Sequence, residues 1–596
     1  MSTIQAEYAT RIEKLKANRS DATRLAKRLM VLRLITFVAA VTAFAALFEI
    51  SAAAASAAGV GLLLLFGATA MADMLNQRRL TFIEKLIRIN ENELRALDGD
   101  ISPFHNGQEF FDVKHPYSYD LDIFGEQSIY QLICRANTTD GRRALAHRLT
   151  APIKEERIAS NQVAVDELGQ LTDWRQELMA ATCADSSANI DISTLKQWIC
   201  DNDVQLQSKG LLRFVNLYAY VPFVLLGATF LGLPFFLFLM SLIPQFILYG
   251  KYFGKIGALQ NKVSRMDTEL KGYAQLLAVI EKQEFNAPLL TSLKNSLRCH
   301  GRQPSAVVAE FAGLVAKLDY RNNFAFMATV GALMMWDIRI SLKLIAWRKK
   351  YGSSVAKWME VVGKMEAISS LATLRYNNPD WCQPQVTERY FTLSAEEVGH
   401  PLIPSSQRVS NTFGIPSTSC ILLTGSNMAG KSTFLRTLGV NMVLAYAGAP
   451  VCAKAFEVSY VPIHTSMRIT DSLVENTSSF YAEIKRLGEI VEAIKGGEKP
   501  FVMLDEVFRG TNSNDRHIGS KALIELLVSA EVCGIIATHD LALADAEQAH
   551  PQAVANYNFD VQVDENDELF FDYRIKRGIC KSLNASILMR KIGLKV

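Results

Sequence analysis

Charge is nearly balanced along most of this chain and almost missing from two stretches of it. The 596 residues include 63 Lys or Arg and 60 Asp or Glu, a net charge of +3. That balance lacks the strong basic field of a protein that grips nucleic acid over its whole surface. Nor do aromatic and basic residues interleave as in a single-strand-binding platform. Cysteine is sparse and unpatterned: nine are scattered from Cys134 to Cys580 with no C-x-x-C pair. This excludes a disulfide framework and a zinc ribbon, and reads as reduced thiols in a cytoplasmic compartment. A secretory signal is missing too, because residues 1–33 are charged, helix-forming and lead to no clear small-residue cleavage site.

The uncharged stretches predict membrane segments. Residues 34–72 contain one charge, Glu49, and residues 214–249 contain none. A helical pass through a bilayer needs about 20 apolar residues, so each stretch has room for a hairpin. The first turn is placed near Glu49-Ile50-Ser51, within an Ala-rich run, and the second at Gly232-Leu233-Pro234. Lys27, Arg28 and Arg33 precede the first hairpin, and Arg78, Arg79 and Lys85 follow it. Lys209 and Arg213 precede the second, with Lys251 and Lys255 after it. The positive-inside rule then predicts a multi-pass protein of the cell (inner) membrane, its other domains cytoplasmic. The competing reading, two core hairpins in a large soluble protein, is weakened by how rarely soluble core helices run so long without charge. Asn216, Gln245 and Glu49 are isolated polar residues near helix ends, which is no transport constellation.

The chemistry is written near the C-terminus. Gly425-Ser426-Asn427-Met428-Ala429-Gly430-Lys431-Ser432-Thr433 follows an apolar run and fits the phosphate loop G-x-x-x-x-G-K-[ST]. Its glycines let backbone N–H groups converge on phosphate oxygens. Lys431 reaches the β- and γ-phosphates, and the Ser432 hydroxyl is a Mg²⁺ ligand. The apolar strand 501–506 ends in Asp505 and Glu506, and a third, 534–539, ends in Thr538-His539. Ligands bind at such strand ends in open α/β sheets. Asp505 is assigned to Mg²⁺, Glu506 to accepting a proton from attacking water, and His539 to sensing the γ-phosphate or orienting that water, with Asn427 also near the γ-phosphate. The predicted cofactors are ATP and Mg²⁺.

These residues resemble the MutS family of mismatch-repair ATPases. Thr424 to Arg436 looks like T-G-P-N-M-x-G-K-S-T, with Ser426 replacing the usual proline and Asn427-Met428 the discriminating pair. Asn476-Thr477-Ser478-Ser479-Phe480-Tyr481-Ala482-Glu483 is similar to S-T-F-x-x-E, Asp505 to Thr511 to D-E-x-x-R-G-T, and Ala537-Thr538-His539 to A-T-H. Ser582-Leu583-Asn584-Ala585-Ser586 is weakly similar to the family's final helix. Upstream, Asp120 to Gly125, Thr139 to Leu145 and Leu149 to Ile153 resemble the start of the family's lever. Met365 to Leu374 and Gly399-His400-Pro401 resemble its return. The resemblance implies a homodimer of ATPase domains, with Ser478 and Ser479 reaching the partner's nucleotide; they also suit an ordinary helix cap.

The expected fold is an α/β P-loop NTPase domain with a mostly parallel sheet, an all-α lever domain and four transmembrane helices. The expected segments are N-terminal helices with the first hairpin (1–100), lever start (101–210), second hairpin (211–255), lever return (256–389) and ATPase domain (390–596). Residues 1–100 leave no room for the family's mismatch-reading domain. Phe82-Ile83-Glu84 and Phe124-Gly125-Glu126 match its Phe-x-Glu only by chance. The second hairpin falls in the interval where the family inserts its DNA clamp. Arg348-Lys349-Lys350 and Lys357 form a small basic cluster that suits a solvated helix face better than a phosphate track. Two functions stay open: a membrane-anchored ATPase linked to DNA binding or mismatch-repair-like DNA handling with an unknown repair partner, and a membrane ATPase that moves its membrane segments or a membrane partner with no DNA role.

Overall fold

The computed structural model describes residues 3–48, 50–151, 153–182, 193–200, 209–263, 267–298, 301–415, 420–426, 428–468, 479–563 and 569–580. Glu49, Asn427, Ser478 and residues 582–586, all named above, lie outside them. Two compact units form, residues 1–103 with 173–185, and residues 104–172 with 186–596.

The first unit is a long antiparallel hairpin of α1 (Thr3–Phe48) and α2 (Ala52–Leu97). The break between them takes in the expected turn, and the Ser51 side chain accepts from Ala54 N to cap α2. Polar pairs set the register away from that turn. Gln5 Nε2 donates to Asp98 at 2.8 Å, Lys16 pairs with Glu91 at 3.1 Å, and buried Asn76 Nδ2 donates to the Ala22 carbonyl at 2.8 Å. Asn90 and Gln176 exchange amide bonds at 3.1 and 2.9 Å. Around residues 34–72 the hairpin instead presents apolar side chains outward, Leu34 at 64% and Leu64 at 70% exposure. Four helices are long and apolar enough to cross a membrane by length and composition: α1, α2, Gly210–Thr229 and Phe236–Val263.

In the second unit, the second apolar stretch departs from the expected pair of plain helices. Its first arm is broken into α3 (Lys209–Tyr218) and α4 (Val221–Thr229), because Pro222 has no N–H to give to the turn before it. The returning arm, α5 (Phe236–Val263), carries Pro244 inside it.

Helix α6 (Trp336–Asn377) is 42 residues long and thus about 63 Å at ~1.5 Å per residue. Helix α7 (Thr139–Thr150) crosses it closely. A Cβ on Gly363 would sit 2.8 Å from the Asp140 carbonyl carbon and oxygen, so only glycine allows this approach. Three residues along, buried Glu366 caps α7 from outside. Its carboxyl accepts from Asn137 N at 3.1 Å and Thr138 N at 3.4 Å, and contacts Thr138 Oγ1, which itself accepts from Gly141 N at 2.9 Å. The buried carboxyl is pushed up to about 7.

Two sheets follow. Strands β1 (Gln385–Thr387), β2 (Leu393–Val398), β3 (Asn411–Ile415) and β5 (Ala455–Ser459) form one in the order β1-β5-β2-β3, with parallel and antiparallel pairs. The mostly parallel sheet expected across residues 390–596 does not account for this additional, mixed sheet. Its strands are short and alternate buried with exposed residues, a half-buried pattern. The second sheet has the order β10-β9-β4-β8-β7-β6. These are β4 (Cys420–Gly425), β6 (Ile463–Ser466), β7 (Phe501–Asp505), β8 (Gly534–Thr538), β9 (Val554–Val563) and β10 (Leu569–Arg577). All its pairs are parallel except β9 with β10. Strands β4, β7 and β8 are buried throughout, as unbroken apolar runs in a parallel sheet should be. Helices α8 (Lys431–Tyr446), α9 (Ser479–Lys495) and α10 (Ser513–Ser529) complete this region. Leu487, Ile490, Leu504, Leu527 and Ile536 share one core cluster beside β7 and β8.

Candidate phosphate-binding site

The three buried strands β4, β8 and β7 lie side by side and in parallel, so their C-terminal ends open together. This brings the loop after β4, Glu506 after β7 and His539 after β8 to one edge. Gly425 leaves β4 at φ 152°, where a Cβ would sit 2.7 Å from the Phe559 carbonyl oxygen. The loop can therefore lie against β9 only with glycine there. Met428 projects outward at 79% exposure, Ala429 is buried, and Gly430 immediately precedes α8.

Lys431 opens α8 and is buried. Its Nζ donates to the carbonyls of Gly425 at 2.9 Å and Ser426 at 3.0 Å, folding the side chain back under the loop. Burial lowers its pKa, opposed by Glu506 and Asp505. The ammonium is thus withdrawn from water and flanked by carbonyls and carboxylates.

Ser432 Oγ donates to Asp505 Oδ2 at 2.5 Å. Asp505 Oδ1 is buried and makes no hydrogen bond. Burial raises the pKa of Asp505, and the Ser432 bond opposes the rise. Magnesium fits this arrangement: a hydroxyl and a buried carboxylate with an unclaimed oxygen are hard donors side by side. Among the described residues no cluster of three or more His, Cys, Asp or Glu could hold a metal.

Glu506 stands just past β7, with φ 50°. His539 Nε2 lies 2.5 Å from Glu506 Oε1, and Arg509 Nε lies 3.2 Å from Oε2. The His539 hydrogen bond is the largest cause holding the carboxyl below its ordinary pKa. Lys431 Nζ also lies 3.5 Å from His539 Nε2. One ring nitrogen cannot donate to the carboxylate and accept from the ammonium, and the shorter contact claims it.

A cavity of about 400 Å³ opens over the loop. Ser426, Met428, Ala429, Gly430, Lys431, Ser432, Thr433 and Glu506 line one part of it, and His400, Ile403, Phe559 and Tyr573 line another. Burial, reinforced by Arg436, lowers His400 to about 4, so it is neutral at ordinary pH. Ser479 is the first residue of α9, while Ser478 and Asn427 lie outside the described residues. Sequence reasoning gave no role to Glu483, which accepts from Phe508 N at 2.5 Å and ties α9 to the loop after Glu506. It also missed Phe559 and Tyr573. The first signal was present, since Glu483 closes the S-T-F-x-x-E segment; the other two come from distant strands with nothing local to mark them.

Residues 421–590 match the family model for MutS domain V. Over these residues the chain is similar to the MutS family. The match begins within β4 and takes in the phosphate loop, both carboxylates and His539. A DNA mismatch repair protein MutS of Persephonella marina is 30% identical over 246 residues, covering 40% of this chain and 28% of that protein. One of Aquifex pyrophilus is 33% identical over 229 residues, 37% of this chain and 26% of the relative. Human MutS protein homolog 4 is 27% identical over 225 residues, 36% and 23% of the two chains. The aligned region thus spans about a quarter of the length of these MutS relatives.

Proposed function

We propose that this chain is a membrane-anchored MutS-type ATPase that binds and hydrolyses Mg-ATP. The observation that carries the reading is the Ser432–Asp505 hydrogen bond at the end of the phosphate loop, with the buried Asp505 Oδ1 left unclaimed. Loop N–H groups and Lys431 bind the phosphates, Ser432 and Asp505 hold the ion, and the other half of the cavity receives the nucleoside. Magnesium held there would supply charge neutralisation to the phosphates. Glu506 receives the proton of the attacking water once it turns from His539, and His539 then keeps that water oriented. The family resemblance points to a homodimer with composite sites, Ser478 and Ser479 facing the partner's nucleotide.

Alanine at Lys431 should abolish nucleotide binding. Glu506→Gln should keep binding and lower turnover by ~10²-fold or more. Unchanged hydrolysis in Glu506→Gln removes the base assignment, and unchanged binding in Lys431→Ala removes the site.

Four apolar helices support anchoring in the cell (inner) membrane, with the nucleotide region in the cytoplasm. After alkaline extraction the protein should stay with the membrane pellet; release into the supernatant rejects this part. For output, similarity to named mismatch repair proteins favours DNA handling with a repair partner. A second reading, movement of a membrane partner without DNA, is favoured by the place of the second hairpin, between the α7 region and the lever α6. Binding to homoduplex, mismatched and branched DNA across a salt series separates them: DNA handling requires affinity that falls steeply with salt. Absence of binding at low salt leaves the second.

A further inference from the structure

Residues 322–336 have the sequence Asn-Asn-Phe-Ala-Phe-Met-Ala-Thr-Val-Gly-Ala-Leu-Met-Met-Trp, fifteen residues without a charge. They are too few to cross a bilayer and fall outside the four candidate spans. Charges bracket the run, and they pair with each other: Arg321 Nε lies 3.3 Å from Asp337 Oδ2, both side chains well buried. The segment leaves and returns at one place, as a re-entrant loop does.

The loop lies against α5. At its base Arg321 donates to the Phe253 carbonyl at 3.4 Å and stacks over the Phe253 ring at 4.5 Å, while Gln260 Nε2 donates to Asn322 at 3.1 Å. Further in, Tyr249 OH donates to the Gly331 carbonyl at 3.4 Å and Gln245 Nε2 to the Leu333 carbonyl at 2.8 Å. From Phe253 to Gln245 the helix axis advances roughly 12 Å. Leu333 therefore lies level with the stretch read as a membrane span, and its carbonyl satisfies Gln245, the one amide in the uncharged part of the returning arm.

Its backbone is prepared for lipid as well. Residues Phe324–Phe326 and Met327–Gly331 are continuous helical turns, and Thr329 Oγ1 donates to its own helix at Ala325 O, 2.7 Å. Internal satisfaction of polar groups is what hydrocarbon demands. Tyr320, Phe326 and Trp336 form an aromatic cluster at the base, as at a membrane–water boundary. Phe324 is 86% exposed, a large apolar side chain with no protein cover.

We propose that residues 322–336 form a re-entrant loop inserted into the cytoplasm-facing phospholipid leaflet beside α5. This rests on the reading of α4 and α5 as membrane segments. The test uses the full chain in phosphatidylcholine–phosphatidylglycerol vesicles, with nitroxide labels at Phe324→Cys, Thr329→Cys and, as a reference on α5, Phe246→Cys (Phe246 is 73% exposed). Spectra of the parent protein labelled alike are subtracted. Oxygen accessibility should exceed that of an aqueous nickel chelate at all three positions. If the chelate reaches 324 and 329 while 246 stays oxygen-accessible, the loop proposal fails and the anchoring stands. Chelate access at 246 as well overturns both. Should Phe324→Cys not fold, Ala325→Cys, at an exposed small residue, replaces it.

Discussion

Asp122 accepts two hydrogen bonds from the Arg468 guanidinium, at 2.6 and 2.8 Å. The residues are 346 positions apart. Asp122 also approaches Arg436, one turn into the phosphate-loop helix, at 3.4 Å. Its neighbour Asp120 accepts from Thr465 Oγ1, Met467 N and Arg468 N at 2.7, 3.2 and 3.0 Å. The Asp-Leu-Asp loop thus plugs the end of β6 and reaches the helix that carries Lys431 and Ser432. Asp122 and Arg468 are each about a third exposed, so their ion pair is discounted for solvent to about 1 kcal/mol. Asp122→Ala and Arg468→Ala should each lower the melting temperature in detergent, and the double substitution should lose little more than either alone. Fully additive losses would deny the coupling.

The unclaimed Asp505 oxygen predicts a metal-specific effect. In the parent protein Mg²⁺ should tighten binding of a non-hydrolysable ATP analogue. Asp505→Asn should erase that gain, a change on the order of tenfold or more (~1.4 kcal/mol). The same substitution should not lower the melting temperature, because a neutral amide is cheaper to bury than a carboxylate. Undiminished Mg²⁺ dependence in titration calorimetry would remove Asp505 from the ion.

Burial raises Glu366 to about 7 from its ordinary 4.5. Between those values the folded chain keeps a proton that the unfolded chain has released. Stability from this site is therefore full below about pH 4.5 and is lost as pH rises through about 7, up to roughly 3 kcal/mol in all. Glu366→Gln keeps an acceptor for Asn137 N and Thr138 N and gives Thr138 Oγ1 a permanent donor. It should flatten the fall in melting temperature between pH 5 and 7, measured against the parent in one buffer series. An unchanged pH slope would exclude Glu366 as its source.

Gly363 meets backbone, not a flexible side chain. Gly363→Ala should force α6 and α7 apart and cost on the order of 1–3 kcal/mol, seen as a lower melting temperature with the nucleotide site intact. An alanine variant melting with the parent would contradict the close crossing.

The phosphate loop, the Asp505-Glu506 pair and Thr538-His539 were legible in the chain because each is a local pattern: glycines that allow a sharp turn, or an apolar run ending in polar groups. Charge-free stretches were legible for a similar reason, since hydropathy is summed over neighbours. Tertiary structure alone decided which carboxylate oxygen stays unclaimed, that His539 and Arg509 hold Glu506, and that Phe559 and Tyr573 share the cavity. It alone decided that a four-stranded sheet accompanies the parallel one, and that Arg321 and Asp337 close an uncharged loop against α5. These depend on strand order and helix crossing, which bring together groups far apart in sequence, and no short-range pattern encodes which distant partner satisfies a buried charge.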